Sequence, residues 1–286
     1  NIPNVQHAMS AFVADELSEV LKTKVVIGRI NMGLLNRIII DDVLLDDQSG
    51  QEMLKVTRLS AKFDIVPFFK GKISISSVQL FGFNINLRKE TPDTPPNFKF
   101  VLDAFASKDT VKKENSLDLR INSILIRRGR MSYHVLSEEE TPGKFNAKHI
   151  QLQNIIANIS LKALSKDSLN LGIKRLSLDE KASGFSLKKM SLKLVANNKQ
   201  TNIDNFTIEL PETSLKLDTI HLEYDSLKAF DRFTEQVHFS FRTLPSQVTL
   251  KDISPFVPIL SHFKEPVTLD MEVKGTVDQL TCSHLE

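Results

Sequence analysis

A chain of 286 residues exceeds the usual single compact domain, and its 37 Lys and Arg balance 35 Asp and Glu to a net charge of +2, so no whole-chain field draws it to nucleic acid or to an acidic surface. The lone Cys282 excludes an internal disulfide and any paired-cysteine zinc site. Eighteen Phe, two Tyr and no Trp make the aromatic supply apolar, suited to walls and cores rather than to polar stacking platforms.

The first element is helical. Residues 4–22 carry Val5, Ala8, Met9, Phe12, Leu17, Val20 and Leu21 at helical spacing, with Asn4 placed as N-cap. Residues 1–23 are therefore expected to form an amphipathic helix that caps the β-rich remainder of the chain. No window reaches the roughly 20 apolar residues that cross a bilayer. The opening residues also lack a basic and then apolar leader, so an anchor or targeting piece is expected to have been removed ahead of Asn1.

Behind the helix one figure keeps returning: apolar residues at i, i+2, i+5 and i+7, with two polar residues skipped in the middle. It fits Val25/Ile27/Ile30/Met32, Ile38/Ile40/Val43/Leu45, Ile73/Ile75/Val78/Leu80, Leu119/Ile121/Ile124/Ile126, Leu171/Ile173/Leu176/Leu178, Phe185/Leu187/Met190/Leu192 and Leu215/Leu217/Ile220/Leu222. Two copies end in alanine, Leu54/Val56/Leu59/Ala61 and Ile150/Leu152/Ile155/Ala157. Side chains alternate along a strand, so residues two apart share a face, and a step of three throws the second pair to the other face. A β-bulge or corner at the polar pair absorbs the slip and keeps both pairs on one side while the strand bends. The alternative is a face that does switch, in a sandwich covered on both sides. Long amphipathic helices able to cover a second face are scarce, which favours the curved sheet.

Further strands alternate simply, at Phe81/Phe83/Ile85/Leu87, Phe206/Ile208/Leu210, Val237/Phe239/Phe241 and Val267/Leu269/Met271/Val273. Short helices are expected at 97–106 and 252–263, with Pro255 in the first turn of the second and Pro258 opposing anything longer. Polar breaks fall at 88–96, 107–116 and 137–148, the first two flanking a helical insertion near 97–107. The same figure runs on both sides of that insertion. The expected fold is mainly β: an elongated, curved antiparallel β-sheet groove, solenoid-like, continuous over 24–286 and cut at its carboxy end.

Chemistry has little to work with. Asp41, Asp42, Asp46 and Asp47 form the densest carboxylate cluster, but their spacing is wrong for an EF-hand loop, and Asp46-Asp47-Gln48-Ser49-Gly50 has turn chemistry. The seven histidines, His7, His134, His149, His221, His238, His262 and His284, offer no pair at helical metal-ligand spacing. No Ser sits in a G-x-S-x-G turn, and Gly28, Gly33, Gly71 and Gly82 are scattered singly rather than gathered into a phosphate loop. No catalytic residue, metal or cofactor is expected. Arg127, Arg128 and Arg130, and Lys188 and Lys189, suit the solvated margins that keep open sheets from pairing with their neighbours.

Three stretches carry a family resemblance. The first 65 residues run through an amphipathic helix, a strand VVIGRI and a turn-and-strand NRIIIDDVLLDD, and then comes GKISISSVQLFG. Later come SGFSLKKMSLKLVANNKQTNIDNFTIELPETSLKLDTIHLEY and DISPFVPIL. In this order they resemble the amino-terminal periplasmic part of TamB/AsmA-type envelope proteins, particularly those of Bacteroides-like bacteria. The resemblance implies an apolar β-groove in a protein anchored in the inner membrane and reaching across the periplasm. Such proteins serve outer-membrane biogenesis, as translocation and assembly modules or as phospholipid carriers. It implies phospholipid acyl chains as cargo, the inner membrane as a partner through a missing amino-terminal anchor, and an outer-membrane barrel protein as a partner through a missing carboxy-terminal part. The six full figures from Ile38 to Leu222 are then the candidate groove lining. The competing function is a periplasmic scaffold or chaperone for outer-membrane β-barrel assembly and secretion, while an enzyme would need a clustered polar site that the sequence lacks.

Overall fold

The structure is a computed structural model that describes residues 3–34, 36–63, 75–106, 122–164 and 168–285. It is mainly β, with 59% of residues in strands, and the chain divides into two compact units, Asn1–Ile156 with Glu180–Ala182, and Ala157–Asp179 with Ser183–Glu286.

The first unit opens with helix α1 (Pro3–Leu21), followed by strands β1 (Val25–Gly33), β2 (Arg37–Asp46), β3 (Glu52–Phe63) and β4 (Ile75–Lys89). Helix α2 (Lys99–Ala106) precedes β5 (Ser123–Val135), and β6 (His149–Leu164) contributes its first half here. Strands β1 to β4 pair antiparallel in chain order. The antiparallel expectation fails between β4 and β5, which lie parallel. A parallel neighbour cannot be reached by a hairpin and needs a crossover, and the segment carrying α2 supplies it.

The register explains the recurring figure. Along β1–β2, β2–β3 and β3–β4 one step drops out of the ladder at matching places, Gly28 opposite Asp42, Asp42 opposite Thr57, and Thr57 opposite Gly82. Two further slips fall near strand ends, at Leu45/Asp46 against β3 and at Lys62/Phe63 against β4, where the predicted Ser76-Ser77 bend lies. Between β4 and β5 the break falls after Phe81↔Arg127 and ends at Asn84↔Arg130. The skipped residues thus form a line of kinks across the strands. Asp42 (φ 55), Gly82 (φ 65), Arg128 (φ 55) and, in β6, Asn154 (φ 55) take left-handed backbone there, a conformation that glycine and short polar residues reach most cheaply. Arg128 is the costly member, at about 1–2 kcal/mol, and its guanidinium lies 5.1 Å from the Phe81 ring centre. Since neighbours kink at the same step, the kink itself does not shift the register across it.

Both halves of the figure do end on one face. In β1, Val25 and Ile27 before the kink and Ile30 after it are buried in a single cluster with Ala14 and Leu21 of α1, and with Leu45 and Met53. Ile38, Ile40 and Leu54 pack against it, as do Phe98, Phe100, Val101 and Ala104 from α2 and the turn before it. Each fully buried aliphatic side chain of this cluster contributes about 1.5–3 kcal/mol. The helix prediction over 4–22 needs two corrections. Asn4 lies inside α1 rather than capping it, and the buried positions are Ser10, Ala14 and Leu21, whereas Phe12, Leu17 and Val20 are exposed. The side chains of Val5, Ala8 and Met9 lie outside the described residues. The helix ends at Lys22 in left-handed conformation (φ 51), and Ser18 Oγ accepts from the Val25 N–H at 3.0 Å, joining α1 to β1.

The second unit contains β7 (Ser168–Glu180), β8 (Ser186–Asn197), β9 (Gln200–Glu209), β10 (Ser214–Glu223), a 3-10 turn (Leu227–Arg232) and the one-turn helix α3 (Phe233–Gln236). It continues with β11 (His238–Thr243), β12 (Ser246–Thr249), β13 (Pro266–Leu269), β14 (Met271–Thr276) and β15 (Gln279–Leu285). Strands β7 to β11 pair in order, then β14 and β15, while β12 pairs with β10 and β13. Here the predicted polar pairs are bulges. Lys174-Arg175 face only Ser191 across β7–β8, and Lys188-Lys189 face only Ser177, so the two slips cancel. Asp218-Thr219 bulge against β11 in the same way, and Asn205 (φ 53) lies in the slip between β8 and β9.

The expected helix at 252–263 is not formed. Two short 3-10 turns, Leu250–Ile253 and Pro258–His262, take its place, with Pro258 opening the second; its ring and missing N–H forbid one continuous helix. Phe185 sits just ahead of β8 rather than in it, its ring edge-on to Phe256 with centres 5.0 Å apart.

Candidate functional site

In the first unit the figure assembles into four apolar rows, two on each side of the kink line. The outermost reads Met32–Ile38–Ala61–Val78–Ile124 and the next Ile30–Ile40–Leu59–Leu80–Ile126. Beyond the kinks come Ile27–Val43–Val56–Phe83 and Val25–Leu45–Leu54–Ile85–Met131. In the second unit Leu171–Leu194–Ile203–Ile220–Phe241–Val273 crosses six strands, and Leu176–Met190–Ile208–Leu215 crosses four. Side chains at such cross-strand positions stand about 4.5–5.5 Å apart and touch.

Among the described candidate lining residues, only Leu45, Leu187 and Leu217 are buried. Ile38, Ile40, Val43, Val78, Leu80, Ile124 and Ile126 are partly exposed, and so are Leu171, Ile173, Leu176, Leu178, Phe185, Met190, Leu192, Leu215, Ile220 and Leu222. Ile73, Leu119, Ile121 and the side chain of Ile75 lie outside the described residues.

The kinks also shape the opposite, polar face. A recess of about 410 Å³ over the first unit's kink line is lined by Lys55, Thr57, Asn84, Arg128, Arg130 and Asn154, together with Gly82, Phe83 and Gly129. In the second unit a recess of about 620 Å³ is lined both by Lys162, Lys174, Lys193 and Asp204 and by the candidate lining residues Leu171, Ile173 and Leu192. Near the first unit's kink, Arg58 donates to Asp41 across the strands at 2.6 Å, and that carboxylate raises the guanidinium pKa.

The predicted Asp46-Asp47 turn is one, and Asp47 is its anchor. Its Oδ1 accepts from Ser49 N–H (2.9 Å), Ser49 Oγ–H (2.6 Å) and Gln51 N–H (3.1 Å), and its Oδ2 from Arg88 (2.7 Å) and Asn97 Nδ2 (3.2 Å). Burial pushes the carboxyl up, but the hydrogen bonds from Ser49, Asn97 and the Gln51 N–H outweigh it and hold the pKa below the usual 3.8. Tied to β4 through Arg88 and to the approach of α2 through Asn97, the carboxylate borders a cleft of about 570 Å³ that Leu21, Lys99 and Phe100 also line. It is a structural node.

Sequence spacing offered no reason to join two histidines, yet the structure joins His134, at the end of β5, to His149, which opens β6. Their Nδ1 atoms are 3.0 Å apart, with Glu140 of the intervening loop close by. The signal was indirect: a strand, a loop holding three consecutive glutamates, and a strand, with a histidine at each junction.

No family model matches the chain, and no curated protein matches it.

Proposed function

We propose that this chain holds or conducts phospholipid along the apolar rows of its sheet, as a non-enzymatic segment of a bacterial envelope protein working between the inner and outer membranes. The observation behind the proposal is the partial exposure of rows that are apolar across up to six strands. An apolar face of that extent marks a binding surface. Acyl chains suit it chemically, since each CH₂ withdrawn from water contributes about 0.8 kcal/mol with no need for a directional partner. The periplasmic setting derives from the resemblance to TamB/AsmA-type proteins. Anchoring to the inner membrane and docking to an outer-membrane barrel protein would be made by parts outside these 286 residues.

The test is solvent extraction and native mass spectrometry of the purified chain, beside Leu80→Glu and Ile220→Glu, each checked for fold by circular dichroism. Phospholipid that travels with the wild type and is lost from the folded variants is the expected outcome. A folded wild type that neither carries phospholipid nor takes it from vesicles overturns the proposal. If it then binds unfolded β-barrel polypeptide, the rows serve a protein client.

A further inference from the structure

We propose that His134, His149 and Glu140 form a zinc site at the β5–β6 connection, independent of any lipid. The first observation is the fixed tautomer of His149. Its Nε2 lies 2.9 Å from the Glu138 backbone carbonyl, and a carbonyl only accepts, so the proton is on Nε2 and the Nδ1 lone pair points at His134. A ligating histidine is held in this way, its far nitrogen donating to a backbone carbonyl so that the near one is presented to the metal. His149 is buried, at 6% exposure, which leaves the ring little freedom to turn.

The second observation is the geometry of the donor set. The Nδ1 atoms are 3.0 Å apart, Glu140 Oε1 is 3.9 Å from His134 Nδ1, and the three ligand atoms lie within 4.8 Å of one another. Tetrahedral zinc with bonds of roughly 2.0–2.1 Å sets its ligand atoms about 3.3 Å apart. The imidazoles therefore open by a few tenths of an ångström, His134 gives up the Nδ1 proton of the present hydrogen bond by taking its Nε2–H tautomer, and the carboxylate, on a side chain that is 62% exposed, closes onto the ion. Two imidazoles and one carboxylate favour zinc over the hard cations magnesium and calcium, which take oxygen sets. The fourth position is left to water, as in three-ligand sites.

The third observation is the support around the loop. Glu138 N–H donates to Val135 O (3.0 Å), Ser137 N–H to Glu90 O (3.0 Å) and Gly143 N–H to Ala182 O (2.9 Å), while Asn146 Nδ2 donates to Glu139 O (3.1 Å). The nearby cation, Lys148, is neutralised by Glu138 at 2.5 Å and does not oppose a dication.

The test uses the full 286-residue chain, stripped with a chelator and titrated with Zn²⁺ alone in competition with a chromophoric chelator, then with Co²⁺ in the visible range. One equivalent of Zn²⁺ and the intense absorption of tetrahedral Co²⁺ are expected. Glu140→Gln, in an exposed loop and safe for the fold, should weaken zinc about tenfold or more, and His134→Gln at least as much. Unchanged affinity in both folded variants, or octahedral cobalt alone, overturns the site and leaves a histidine–histidine hydrogen bond.

Discussion

Gly129 follows the kinked Arg128 in β5, and replacing it with alanine tests how tightly the kink line is packed. A Cβ built there meets Cε1 and Cζ of Phe83 at 2.4 Å and Ile155 Cβ at 3.1 Å, where carbon pairs are comfortable at about 3.5–4.0 Å. The Phe83 ring, only 7% exposed, must retreat by more than about 1 Å. Overpacking of that kind costs about 1–3 kcal/mol. The backbone of Gly129 lies outside the left-handed region, so alanine recovers about 0.4–1 kcal/mol through the unfolded chain. The expected net loss is about 1–2 kcal/mol, or roughly 2–8 °C in Tm for a unit of this size. In a Phe83→Leu background the ring is gone, and Gly129→Ala should be neutral or stabilising. Urea unfolding of the four proteins by circular dichroism measures the cycle. Equal effects of Gly129→Ala in both backgrounds, within about 0.5 kcal/mol, would refute the contact.

Asp47→Ala strands the partly buried Arg88 and should cost about 2–4 kcal/mol in the same assay; an effect under about 1 kcal/mol would remove Asp47 from its anchoring role. Because the Asp47 pKa is depressed on folding, its stabilisation is complete above the ordinary 3.8 and is lost as pH falls through the lower folded value. The wild type should therefore lose stability in that acid window more steeply than Asp47→Asn, and parallel curves would contradict the shift. Asp42→Gly should be tolerated at φ 55, whereas Asp42→Val should cost about 1–2 kcal/mol; thermal melts separate the two. In the second unit the Tyr224 hydroxyl is 2.7 Å from Asn197 O and 2.9 Å from Thr201 Oγ1, so Tyr224→Phe should cost about 1–3 kcal/mol by chemical denaturation.

Several bends were legible from the two polar residues that marked them: at Asp41-Asp42, Thr57-Arg58, Ser76-Ser77, Lys174-Arg175, Lys188-Lys189 and Asp218-Thr219 the ladder breaks or slips as the spacing requires, while the figure around Asn122-Ser123 begins outside the described residues. In β4 the kink at Gly82 was hidden because Phe81 fills a position that is polar elsewhere, so Phe81/Phe83/Ile85/Leu87 read as plain alternation although Phe81 is exposed and Phe83 buried. In β5 it was hidden because the figure, read as Leu119/Ile121/Ile124/Ile126, ends ahead of the kink at Arg128, and Gly129 offers no apolar side chain beyond it. The parallel β4–β5 pair could not be read, since local periodicity carries no strand direction. The histidine pair was illegible for another reason: closure of a loop, not spacing within an element, brings the two rings together.

The line of kinks through Gly28, Asp42, Thr57 and Gly82 has a mechanical side. Bending the first unit's sheet about that line changes one step per strand and leaves the pairing of the apolar rows on either side intact. Stiffness is thus lowered along that crease. The dihedral angle of that crease sets the width of the apolar face, which can change without any side chain being exchanged.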